Sequence, residues 1–493
     1  MTGFTGVQAA LPHRLSDTAL TALGAGRPDR AALEELRRAR LSRHLLLLRE
    51  IAATARTGDF AALAAADRTA PDRVRDLLAR PLFGAWATGC LTALRAGAAP
   101  ERAGVGHLGD LAAHALTPHP RRDPGRHLTA EHDGLGISVR LEDSDPLRAR
   151  LGLPPVPPLA PDELARWQES FAAAWRLLVE RVRPDAEVLT VVLDSVIPVR
   201  ADPASRGISA TSADAFGAVA ISEPADPAAF AVGLLHEAQH SILNAVQYLF
   251  DLLDAPDTLG YSPWRDDPRP ASGILHGAYA YLTVARFWRT LPDDPLARFE
   301  FARWRAAVAA AADGLRDLTP AGERFVGALR AEVRPWLDEP VPSRILRLAE
   351  GANRDHRLRW RLRNLHVEPA DRAALVAAWR RGERPPSVTP ILRRSPGRAL
   401  ETSSRLDLTH RLLRGLPLEG SAGDVAYVRG DEATALGAYR RNPGDRAAWA
   451  GMLLTSGLQA APELAAAAYD GLSPPAAENG DDPDPLAVIR WLS

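Results

Sequence analysis

The sequence predicts a mainly helical α+β protein built around one small β-sheet. Three observations carry this. Long Ala/Leu/Arg-rich stretches repeat apolar residues at helical spacing, as in "DRAALEELRRARLSRHLLLLREIAATAR" over residues 29–56. Two short runs containing β-branched residues, "EVLTVVLDSVIPV" and "FGAVAIS", read as strands separated by turn-rich sequence. After "EPADP" a strongly apolar helix begins near Pro227 and continues through "AAFAVGLLHEAQHSILNAVQYLFDLL".

In chain order, the 493 residues divide into four regions. Residues 1–117 form an N-terminal helical region, and residues 118–163 a Pro/His-rich connection containing "LGLPPVPPLAPDE". His114, His119, His127 and His132 crowd that stretch, but their spacing matches no regular metal template, which makes them solvated loop residues. A helix over roughly 161–183 leads into the core, residues 164–385, which holds the strands, the apolar helix and several further helices. Residues 386–493 are a C-terminal helical region with one tetratricopeptide-like hairpin over 430–457. A single copy makes no solenoid, so the hairpin is expected to pack against the preceding helices, and the acidic "NGDDPDP" reads as a surface turn.

Composition excludes several function classes. A hydrophobic fraction of 46%, 25% charged residues and a net charge of -1 describe an ordinary globular protein with no footprint for nucleic acid. All 60 basic residues are Arg, so lysine Schiff-base chemistry and Walker-type phosphate binding are ruled out. The single cysteine, Cys90, lies in the apolar "AWATGCLTAL" and reads as a small buried hydrophobe. The opening residues lack a basic start followed by an apolar core, and no uninterrupted apolar run reaches the ~18 residues that span a bilayer. A cytoplasmic enzyme with no membrane partner is the expectation.

The chemistry concentrates in "LLHEAQH", where His236, Glu237 and His240 form H-E-x-x-H. Residues four apart on a helix share a face, ~6 Å apart along the axis, so both imidazoles can reach one ion. Glu237 lies about 100° round the helix, beside the ion, and is the expected catalytic acid or base; in a zinc peptidase this carboxylate would polarise water. A strand, a short turn and an H-E-x-x-H helix is the local order of zincin-like domains, flanked here by helical regions. Two histidines need a third donor. The metzincin extension requires glycine at 243 and histidine at 246, where Leu243 and Val246 stand, and no Glu occurs between Glu237 and Glu300. Asp251, placed on the same helix, is ~16 Å from His240. His276 in "GILHGAYAYLTVARFW" is the leading candidate, with a hydrogen-bonded core role as its alternative. Asp266 or Asp267 would instead complete a two-His-one-carboxylate triad suited to iron(II).

The combination of "LLHEAQHSILNAV" with "YSPWRDDPRPASGILHGAYAYLTVARFW" resembles the HExxH-motif peptide-modification proteins found beside precursor peptides and radical enzymes in actinobacterial clusters. The resemblance is strong over residues 185–290, with weaker echoes in "DHRLRWRLRN" and the C-terminal region. It implies a 2-oxoglutarate-dependent peptide β-hydroxylase whose motif histidines hold Fe(II). A ribosomally made precursor peptide would be the substrate, with a radical maturase acting on the same peptide. The distal carboxylate of 2-oxoglutarate calls for a forked cation. Arg265, Arg269 and Arg286 are the candidates, Arg269 first because its loop can fold back toward the metal, whereas Arg286 is ~15 Å along the helix from His276. Trp264 and Tyr279 are pocket-wall or core aromatics. "FGAVAIS" is a candidate edge strand for an extended peptide, and equally an internally paired one. A zinc metallopeptidase with Glu237 as base and a non-catalytic helical peptide-binding scaffold are the rival readings.

Overall fold

The computed structural model describes residues 12–55, 57–117, 126–202, 207–393, 403–473 and 483–493. His119, most of "TPHPRRDPGR" and residues 479–482 of the acidic turn lie outside them. The chain gathers into two compact units, one of Met1–Asp254, Tyr279–Thr290 and Leu318–Glu332, the other of Ala255–Ala278, Leu291–Asp317 and Val333–Ser493.

The first unit opens with seven helices, α1 (Asp17–Gly24), α2 (Arg30–Ala55), α3 (Asp59–Thr69), α4 (Pro71–Ala79), α5 (Pro81–Arg95), α6 (Pro100–Ala103) and α7 (His107–Leu116). The apolar faces of α2 to α7 close one core that contains Trp86, Phe83 and the fully buried Cys90. Next come strands β1 (His127–His132) and β2 (Leu135–Leu141), a 3-10 turn (Pro146–Leu151), the long helix α8 (Pro161–Val192), strands β3 (Ser195–Val199), β4 (Ser209–Ala210) and β5 (Ala218–Ser222), and helix α9 (Pro227–Gln247). The β1–β2 hairpin falls within the stretch read as a connection, and His127 and His132 stand on its first strand.

The sheet is mixed, in the order β1-β2-β3-β5-β4, with β2, β3 and β5 parallel and the outer pairings antiparallel. Every residue of β3 and β5 is buried, because helices cover both faces. Ile197, Val199, Ala218 and Ala220 pack toward Leu82 and Ala85 of α5, and α9 lies so close to Ile221 that a Cβ on Gly233 would come within 2.7 Å of its Cδ1. Strand β5, the core of "FGAVAIS", is paired on both sides, and the short β4 beside it forms the sheet's edge.

Two boundaries differ from the sequence expectation. "EVLTVV" is the last turns of α8 and not a strand. At Val182 the backbone leaves helical geometry, with φ -141° and ψ 53°. Pro184 then sits in the first turn of a second helical segment, where its missing N–H costs nothing. Val188, Leu189, Val191 and Val192 are buried, so tertiary packing overrides β-propensity there. Helix α9 ends at Gln247, so Asp251 is not on it. The residues that follow turn aside because Leu253 bridges to Leu318 and Leu252 O accepts from Thr319 N.

The remaining elements are β6 (Leu259–Gly260), β7 (Arg269–Pro270), α10 (Ala271–Arg289), α11 (Pro295–Gly314), α12 (Pro320–Val333), a 3-10 turn (Arg334–Asp338), α13 (Ser343–Asn364), β8 (Leu365–His366), α14 (Pro369–Arg380), β9 (Ile391–Leu392), α15 (Ser404–Leu413), α16 (Ala422–Arg429), α17 (Glu432–Arg440), α18 (Arg446–Ser456), α19 (Pro462–Leu472) and α20 (Pro485–Leu492). Helix α10 begins in the second unit and from Tyr279 belongs to the first. In the second unit, the α17–α18 hairpin packs on α16, α13 and α19. Tyr439 sits so tightly against Gly451 that a Cβ there would lie 2.5 Å from the ring. At the centre is a buried ion network. Arg405 donates to Asp355 at 2.7 Å and to Asp424 at 2.8 Å, and Asp355 also accepts from Ser403 and Arg359. Among the described residues, no single helix is long and apolar enough to cross a membrane.

Candidate metal centre on helix α9

Helix α9 starts where the sequence directs. Asp226 caps it by accepting from Ala229 N at 2.8 Å, and Pro227 follows at the first helical position. The face formed by Phe230, Leu234 and Ile242 is buried, which fixes the rotation of the helix. His236 and His240 then stand together on a half-buried face, with their Nε2 atoms 3.1 Å apart and ring planes at 90°. Burial lowers the His236 pKa, partly offset by Glu237, which keeps the imidazole neutral with a lone pair to offer.

Two nitrogens bound to one ion at about 2.1 Å each stand about 3.0 to 3.4 Å apart, between right-angled and tetrahedral geometry. The observed separation falls in that interval, so the donor pair fits a shared transition-metal ion. Among the described residues, no three His, Cys, Asp or Glu side chains are gathered as a metal-holding group.

Glu237 is 2% exposed, and both its carboxylate oxygens are engaged. Ser209 Oγ donates to Oε1 at 2.6 Å and Thr211 Oγ1 to Oε2 at 2.6 Å. The glutamate therefore fastens the motif helix to the edge strand β4 and the residue that follows it. Tyr281 of α10 sets its ring edge-on to His236, with centroids 5.1 Å apart. Sequence reasoning missed Ser209, Thr211 and Tyr281. The serine and threonine lie in a polar segment with no motif, and Tyr281 is one aromatic among several in an apolar helix, so no local signal marked them.

The other candidates lie in different surroundings. His276 is a half-buried residue on the α10 segment of the second unit, and burial, reinforced by the Arg269 charge, lowers its pKa to about 4, leaving a neutral imidazole. Arg269 rests on Gly273, 3.1 Å from where a Cβ would stand, and Trp264 packs on Gly277 in the same way. Arg265 Nε donates to Asp267 Oδ1 at 2.7 Å, while Arg269 Nη1 is 3.7 Å from the other oxygen, so Asp267 faces two cations. Asp266 is buried among His356, Arg359 and Arg363 of α13, at 3.4, 3.9 and 3.8 Å. Both aspartates thus neutralise guanidinium groups in the second unit. Arg286 is consumed by structure, donating to Asp185 at 2.7 Å and to the carbonyls of Ala25 and Gly26. Tyr279 is a core residue whose hydroxyl donates to Leu23 O at 2.7 Å. No protein-family model matches the chain, and no curated protein matches it either.

Proposed function

We propose that this protein is a cytoplasmic iron(II)- and 2-oxoglutarate-dependent oxygenase that hydroxylates a side-chain β-carbon of a ribosomally made precursor peptide, on a zincin-like core. The observation that supports a metal-dependent reading is the 3.1 Å separation of the His236 and His240 Nε2 atoms. His236 and His240 hold the metal, and His276 is the third donor expected from the sequence. Bound there, iron would supply the activation of oxygen, with 2-oxoglutarate as the co-reductant that leaves as succinate. Arg269 and Arg265 are the cations assigned to the 2-oxoglutarate carboxylate. Glu237 acts as a positioning residue, because the hydroxyls of Ser209 and Thr211 occupy both its oxygens. That engagement favours the oxygenase over a zinc peptidase, which needs its glutamate turned to water.

The test is to load the purified chain with iron(II) without oxygen and then add 2-oxoglutarate, air and a neighbouring precursor peptide. The expected result is a gain of one oxygen atom by the peptide with stoichiometric succinate, both abolished by His236→Ala. Peptide fragments formed with zinc and no cosubstrate would replace this reading with the peptidase. A chain that binds peptide but no metal would replace it with a scaffold.

A further inference from the structure

We propose that the cavity lying against α2, bordered by Arg37, Arg40 and Asp194, is a binding site for a small monovalent anion, a halide or a formate-sized carboxylate. The cavity measures about 40 Å³ and lies wholly within the first unit. Arg37, Arg40, Leu41 and His44 line it together because helical spacing puts them on one face of α2. Arg40 is the group that selects the ligand. It is 5% exposed, and the contacts that fix it are uncharged. His44 Nδ1 donates to Leu78 O at 2.8 Å, which leaves Nε2 as the acceptor for Arg40 Nη2 at 3.3 Å. Burial lowers the His44 pKa to about 3, so this acceptor carries no charge. On its face, the guanidinium carbon lies 4.4 Å from the centroid of the Phe216 ring, a contact worth little against the cost of burying a charge. The bond to His44 uses one of five guanidinium N–H donors, and an arginine has no acceptor, so a ligand meeting Arg40 must accept.

The charges around the cavity agree with this choice. Among the described residues that line it, two are guanidiniums and one, Asp194, is a carboxylate. Asp194 feels Arg140, Arg37, Arg80 and Arg40 together, so its single charge is spread over four cations. Burial pulls the Arg40 guanidinium down from 12.5 to about 9, Arg43 and Arg37 add to that, and Tyr248 and Asp194 offset only part of it. A cation held at such cost gains most from an added anion. Arg37 is exposed where Arg40 is buried, so positive charge leads from solvent inward. At roughly 10–15 Å³ for each water-sized group, the space takes roughly three such groups, enough for a halide or a small carboxylate and too little for a phosphate ester. None of these residues belongs to the motif helix, so the proposal stands or fails independently of the metal.

The experiment is thermal melting of the full chain while sodium gluconate, whose anion is too bulky for the cavity, is replaced by sodium chloride or sodium formate at constant ionic strength. The melting temperature should rise along a saturable single-site curve, because a ligand that binds only the folded chain stabilises it by mass action. Arg40→Gln should raise the apparent Kd at least about tenfold, the equivalent of one charge-assisted hydrogen bond. Arg37→Gln, at an exposed position, should raise it by about threefold. If Arg40→Gln fails to fold, crystals of the wild-type chain soaked in bromide give the same reading, with an anomalous peak within hydrogen-bond reach of the Arg40 guanidinium. The two salts distinguish the source: tighter binding of chloride identifies a halide site, and tighter binding of formate a carboxylate site. A melting temperature that does not change on replacing gluconate, a saturable rise that both substitutions leave intact, or bromide peaks confined to other places overturns the proposal.

Discussion

Helix α9 carries His236 beside Glu237, and helix α13 carries Asp355 beside His356. On α13 the acid sits among cations. Although burial alone raises the Asp355 carboxyl, Arg405 and Arg359 hold it down to about 2, and His356 Nδ1 is hydrogen-bonded to Tyr261 at 2.8 Å. On α9 the acid is held by two hydroxyls, and the Nε2 atoms of the two imidazoles lie 3.1 Å apart. An acid next to a histidine on a buried helix therefore has two meanings. Where cations surround the acid, the pair is part of the core, and where a second imidazole stands one turn away, the two rings have the spacing of a metal-donor pair.

The largest effect that tests this contrast is expected on α13. Arg405→Ala leaves Asp355 and Asp424 buried without their shared cation and should cost about 3–5 kcal/mol. Hydrogen exchange in α13, α15 and α16 of the full chain reads this out, and a loss below about 1 kcal/mol would break the comparison. On α9 the analogous substitution should act through metal rather than through the apo fold. Wild-type chain at a metal concentration of about 100 times Kd should gain about 2.7 kcal/mol. His236→Ala and His240→Ala should each lose that gain while their metal-free melting stays near wild type.

Acid should separate the helices in a fixed order. The folded His236 imidazole resists protonation, so below its ordinary value of 6.5 the unfolded chain binds a proton that the folded chain refuses, and stability falls as pH drops. His44, buried in the first unit with a pKa lowered to about 3, acts in the same direction. Asp355 is the opposite case. Its contribution is fully present above the unfolded value of 3.8 and is lost as pH falls through about 2, a loss of roughly 2 kcal/mol. Metal-free α9 should open to exchange at mildly acidic pH while α13 stays protected, and simultaneous opening would contradict the assignment. The smallest effect is at Glu237. Glu237→Gln retains the ties to Ser209 and Thr211 after one hydroxyl reverses, at a cost of about 1 kcal/mol with metal affinity kept. A complete loss of metal would instead place this carboxylate at the ion.

Most of the helical content, the late strand β5 and the start of α9 were legible, because apolar spacing, Asp226 and Pro227 are local signals. The end of α8 was not, since Val191 and Val192 favour a strand until packing buries them in a helix. Arg286 showed the same limit: a cation ten residues along a helix from His276 looked available, and the fold gives it to Asp185.

What the sequence alone determined is the pairing of His236 with His240, because residues four apart on any α-helix share a face whatever surrounds it. The tertiary structure decided the clamp of Ser209 and Thr211 on Glu237 and the Tyr281 ring against His236. Those partners are brought together by packing between segments distant in the chain, and such packing has no period to read in a single string of residues.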